Sequence, residues 1–132
     1  MPQLINLILG ILLCTAPTPA PQPPAPHTAL VLNLRDATEP NRPLLDTVTL
    51  RCDPPGGTHP DAAWACAKLR EVNGDLARLR PLGGPCTFIY QPVIVEVHGT
   101  WRGHPVQFLA TYENRCVARD RSAGVFRFAE HS

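Results

Sequence analysis

The stretch DTVTLRCDPPGGTHPDAAWACAKLREVNG, residues 46–74, decides the fold class. Its first seven residues set Val48 and Leu50 between polar neighbours, the period of a half-buried strand. The prolines and glycines of DPPGGTHPD then stop that pattern. Thr58 is followed three residues later by Asp61, with Pro60 between them, which has the form of a capping box opening a helix. Over residues 60–72, Ala62, Ala65, Cys66, Leu69 and Val72 share one helical face. Asn73-Gly74 supplies the helix stop. A strand that delivers the chain into one long helix predicts an α+β domain.

Working outward, HTALVLNL (residues 27–34) is rich in Leu and Val and predicts a strand before this one, with turn chemistry in RDATEPNRPLLD between them. Residues 75–80 predict a short helical turn. Beyond residue 92, Val93, Val95 and Val97 alternate with Ile94, Glu96 and His98, a strand with one buried face. Gly99 is expected to turn the chain, and Gly103-His104 to make a hairpin turn. VQFLATYEN (106–114) then predicts a long strand, and GVFRF (124–128) a last one. The expectation is an antiparallel sheet of about five strands with a long helix on one face.

The N-terminal part has a different character. LINLILGILL, residues 4–13, has the length of an export-signal core and is too short to span a bilayer. Its n-region, Met1-Pro2-Gln3, is atypical in lacking Lys and Arg. A Pro-rich lead-in follows. Residues 1–26 are therefore expected to be a signal peptide with its lead-in, and residues 27–132 one secreted domain of roughly 105 residues, enough for one modest core. Of the five cysteines, Cys14 goes with the leader. Cys52, Cys66, Cys86 and Cys116 remain, an even set that behind an export signal implies a disulfide framework with three possible pairings. The net charge of +1 implies no polyanionic partner such as nucleic acid.

Enzyme chemistry finds little to work with. The serines left after the leader are Ser122 and Ser132, neither in a G-x-S-x-G setting. A cysteine nucleophile would need a thiol left over from the disulfides. His27, His59, His98, His104 and His131 form no metal-ligand motif and are expected as exposed turn residues. Trp64 and Trp101 are expected to pack rather than to stack on a ligand. No cofactor or metal is expected. What stands out is GGPCTFIYQPV, residues 83–93, where Phe88 and Ile89 sit in a segment built like a loop. They either tuck into the core or are displayed for a partner.

Several motifs together carry a resemblance: CDPPGG.HP from Cys52, Y.PV from Tyr90, WRG.PV from Trp101, N.CV from Asn114, and the closing GVFRF. From about Leu30 to Phe128 the chain resembles the subtilisin-inhibitor-like proteins secreted by actinomycetes, the Streptomyces subtilisin inhibitor type. The resemblance implies a five-stranded antiparallel sheet with two helices on one face, and a homodimer joined through the sheets. It implies the pairs Cys52–Cys66 and Cys86–Cys116, the second tying the loop to the long strand. It places the reactive bond between Phe88 and Ile89, with Pro85, Cys86, Thr87 and Tyr90 contacting the protease and Asn114 bracing the loop. Tyr90 and Val93 are expected to pack the far shoulder of the loop onto the body. The implied partners are secreted serine proteases of subtilisin-like and chymotrypsin-like specificity, and the implied role is inhibition without catalysis. The alternative is a non-inhibitory secreted binding module of the same fold. Thr87, where the family often has proline, and Pro85, where a larger apolar residue is common, depart from the pattern and bear on target range.

Overall fold

The structure, a computed structural model, describes residues 10–21 and 27–128. Most of the expected signal core and part of the lead-in lie outside them. Residues 10–21 are exposed and take no regular structure. Among the described residues no helix is long and apolar enough to cross a membrane.

Four strands, β1 (Thr28–Asp36), β2 (Leu44–Cys52), β3 (Val93–Trp101) and β4 (His104–Tyr112), form one antiparallel sheet in the order β2-β1-β3-β4. Alternation decides which face is buried. Leu30, Leu32 and Leu34 of β1, Val48 and Leu50 of β2 and Val93, Val95 and Val97 of β3 all enter one core. Two helices cover that core: α1 (Ala62–Glu71) against β2, and α2 (Arg115–Arg121) against β3 and β4. α1 contributes Ala65, Cys66 and Leu69, and α2 contributes Ala118.

The expectation of five strands is wrong, and the fifth fails for a local reason. Residues 122–126 are a turn, not a strand. Ala123 and Gly124 have φ of 55° and 87°, outside the extended region. The Val125 amide donates to Ser122 O at 3.0 Å and the Phe126 amide to Ser122 Oγ at 2.8 Å, so these donors are used within the turn and not on a neighbouring strand. Val125, Phe126 and Phe128 are nevertheless buried, with Phe126 against Phe108 and Tyr112 at centroid distances of 5.5 and 6.0 Å. A plug on the open side of the core and an inner strand present the same apolar spacing.

Other details also differ. α2 occupies sequence expected to join two strands. The Thr58 hydroxyl does not cap α1: it accepts the Thr49 amide at 2.9 Å, and Thr58 N donates back to Thr49 Oγ1 at 3.1 Å, so this segment returns along β2. Gly99 lies inside β3 instead of turning the chain. A Cβ there would run into Ala29 O, so glycine admits the close approach of β1. The β3–β4 turn is made by Arg102 and Gly103, both at positive φ (46° and 83°), as a two-residue hairpin loop demands.

His59 is buried instead of exposed in a turn. Its Nδ1 accepts the Asp61 amide at 2.9 Å, so its Nε2 carries the proton and donates to Val125 O at 2.7 Å. One neutral tautomer thus joins the start of α1 to the C-terminal turn. Burial, which disfavours the charged ring, holds its pKa below the ordinary 6.5 despite the opposing bond to Val125. The unfolded chain therefore takes up this proton first. The resulting stability is complete above about pH 6.5 and is lost as pH falls from there towards the folded-state value. Urea unfolding between pH 7.5 and 5.5 is expected to show falling stability in the wild type and a flatter dependence in His59→Gln.

Candidate functional site

Residues 79–92 have no helix or strand, yet the segment is tied down along its length. Within it Phe88 is 104% exposed, and Ile89 and Tyr90 are also largely open to solvent. Residues 83–93 carry no charge, so the surface they offer is apolar and backbone-polar. Phe88 and Ile89 are thus displayed, not tucked into the core. On the far shoulder Pro92 and Val93 are buried while Tyr90 is not, so Tyr90 does not pack that end onto the body as expected.

The support comes from α2 and the residues just before it. Asn114 is the N-cap of α2, in extended conformation at φ −168°, and is not a member of the long strand. Its Oδ1 accepts the Val117 amide at 2.9 Å. Its Nδ2 donates to Thr87 O at 3.2 Å and to Ile89 O at 2.8 Å. One nearly buried amide therefore holds the carbonyls on both sides of Phe88 while the Phe88 side chain stays free.

Cys86 is bonded to Cys116, with Cα atoms 5.7 Å apart, so this disulfide ties the loop to α2 rather than to a strand. Cys52–Cys66, at 5.6 Å, ties the end of β2 to α1. Downstream, Gln91 N donates to Glu113 O at 2.9 Å, and Ala37 N donates to Pro92 O at 3.0 Å. Upstream, Leu82 N donates to Asp120 O, and the Gly83 and Gly84 amides both donate to Asp120 Oδ1, each at 3.0 Å. Glu113 and Asp120 are absent from the expected site residues because α2 is absent from the expected elements. The signal was there in NRCVARDRSAG: an Asn cap, helix formers, Arg in the last turn and a glycine beyond.

The Ser122 hydroxyl is buried and occupied, donating to Arg119 O at 3.2 Å and accepting the Phe126 amide. Among the described residues no three His, Cys, Asp or Glu side chains gather as metal ligands. Beside the loop a cavity of about 390 Å³, lined in part by Thr87, Ile89, Asn114, Asp36 and Leu45, joins the β1–β2 connection to the downstream half of the segment.

The helix cap and the loop brace use different atoms of Asn114, so two substitutions separate them. Asn114→Asp keeps the Oδ1 acceptor but sets a carboxylate oxygen against two carbonyls. Asn114→Ala loses both functions, with the cap alone worth about 1 kcal/mol. Both variants are expected to be cut within residues 87–90 sooner in limited proteolysis. Only Asn114→Ala is expected also to fray the first turn of α2 in amide exchange.

A family model described as subtilisin inhibitor-like matches residues 26–114. The chain is 38% identical over 105 residues to Subtilisin inhibitor-like protein 1 of Streptomyces cacaoi, covering 76% of this chain and 96% of that protein. It is 40% identical over 116 residues to a trypsin inhibitor of Streptomyces longisporus, covering 84% and 81% of the two. Among solved structures it resembles Streptomyces caespitosus sermetstatin, crystallised in complex with Bacillus licheniformis subtilisin. The TM-score is 0.62 at 28% identity, with 79% of this chain and 99% of that one covered.

Proposed function

Because the chain belongs to the subtilisin inhibitor-like family, we propose that it inhibits serine proteases by offering the Phe88–Ile89 bond as a tightly held substrate. The observation that carries this reading is the pairing of full exposure at Phe88 with hydrogen bonds from Asn114 to the carbonyls on either side. A protease binds its substrate as an extended strand. A flexible peptide loses conformational freedom on binding, is cut and departs, whereas a loop already held in shape avoids much of that entropic penalty. If the bond is cut, the upstream half stays attached through Cys86–Cys116 and the downstream half through Gln91 and Pro92. The new amine of Ile89 remains beside the acyl group on Phe88, so religation competes with hydrolysis. Complexes of this type are of ordinary interface size yet among the tightest known.

One relative is named for subtilisin and another for trypsin, so the scaffold alone does not set the target. In this reading residue 88 does, by filling the enzyme's main specificity pocket. A large aromatic there favours subtilisin-like and chymotrypsin-like enzymes over trypsin-like ones. Pro85, Cys86, Thr87 and Tyr90 line the contact around it. The atypical leader and the disulfide framework support export of the protein before it meets such enzymes.

A homodimer fits the same reading. The outer face of the sheet carries Val31 opposite His98, and Glu96 opposite Leu109, and α1 and α2 cover only the other face. Leu109 there is 67% exposed. Sedimentation equilibrium is expected to find a dimer in the wild type and a monomer in Leu109→Glu.

Titration of subtilisin and trypsin tests the reactive bond. The wild type is expected to form a persistent 1:1 complex with subtilisin and to inhibit trypsin poorly. Phe88→Lys is expected to shift inhibition towards trypsin, and Phe88→Asp to weaken subtilisin inhibition by about a thousandfold or more. Undiminished inhibition by Phe88→Asp would show that the bond lies elsewhere, and rapid complete digestion of the wild type would favour a non-inhibitory binding module.

A further inference from the structure

We propose that Asp120 is a second positioning residue for the loop, locking its upstream arm as Asn114 locks its centre. The consequence for protease inhibition rests on the function proposed above; the geometry does not. Three consecutive amides end on this one residue. Leu82 N reaches Asp120 O, and Gly83 N and Gly84 N share Asp120 Oδ1, all at 3.0 Å. Gly83 is at φ +85°, which turns successive amides towards one side and forms a small cradle for an anion. The carboxylate fills that cradle from α2, and hydrogen bonds to an ionised acceptor are the stronger kind.

Position makes these contacts matter. Gly83-Gly84 is the backbone with the most conformations to lose in the whole segment, and it lies just before Pro85 and Cys86. Upstream of Phe88 a protease would grip these residues as a strand. Without the Asp120 carboxylate, the Leu82 bond to the main-chain carbonyl of residue 120, the Cys86–Cys116 bridge and the Asn114 bond to Thr87 O would remain, but the Gly83-Gly84 amides between them would lose their acceptor. With it, residues 82–84 are fastened to the same helix that carries Cys116 and is capped by Asn114, so both halves of the loop share one foundation.

The test compares wild type, Asp120→Ala and Asp120→Asn. Asn keeps an acceptor oxygen for both amides, whereas Ala keeps none. In the free protein Asp120→Ala is expected to speed amide exchange at Gly83 and Gly84 about tenfold, with Asp120→Asn in between. With subtilisin, Asp120→Ala is expected still to bind but to be cut between Phe88 and Ile89 about tenfold faster, and Asp120→Asn to recover most of the lifetime of the complex. Equal exchange at Gly83 and Gly84 in wild type and Asp120→Ala overturns the assignment, as does an unchanged rate of cleavage in a wild type that inhibits. If the wild type is instead digested without arrest, the inhibitory reading fails, and the exchange measurement alone decides the positioning role.

Discussion

One carboxamide governs the exposed end of this molecule. Asn114 satisfies an orphan amide at the start of α2 with its oxygen and two loop carbonyls with its nitrogen. The planar amide fixes the angle between those tasks. The orientation of the helix therefore sets where the loop backbone lies, and neither can move without giving up hydrogen bonds at a nearly buried site. The disulfide from Cys116, two residues on, fastens the same pair of elements covalently.

This resolves a conflict between exposure and order. An apolar residue can be presented to a partner only if it leaves the core, and a segment outside the core normally gains mobility. Here order is supplied from beneath, by backbone hydrogen bonds to residues 82, 83, 84, 87, 89, 91 and 92, while the side chains of Phe88, Ile89 and Tyr90 take no part. Thr87 bears on the same point. A proline there would restrict φ by its ring, but the Asn114 bond to Thr87 O restrains the peptide from outside.

Much of the fold could be read from the chain because it rests on local rules. The period of residues 93–97, the Ala-rich helix stopped by Asn73-Gly74, and the even set of cysteines are all short-range signals. What escaped reading depended on tertiary context. The apolar spacing of GVFRF is the same in a strand and in a plug, and only the positive φ at Ala123 and Gly124 separates them. The seven residues of α2 are too few to show a helical period, so their sequence reads as a connection between two strands. Without α2 in view nothing marks Asp120, and Asn114 reads as the end of a strand and not as a helix cap. A single histidine carries no mark of burial, so His59 reads as a turn residue in the sequence. Its role follows from a contact with Val125, 66 positions away.

A seven-residue helix is marginal by itself, since nucleating so few turns is unfavourable in water. α2 persists because Ala118 is anchored in the core and because the loop consumes its cap, its cysteine and its last carboxylate. Loop and helix thus support one another, and the stability of each depends in part on contacts with the other. Fraying that begins at the C-terminal turn reaches the displayed segment without any change in the sheet, and a partner clamped on the displayed segment suppresses that fraying in return.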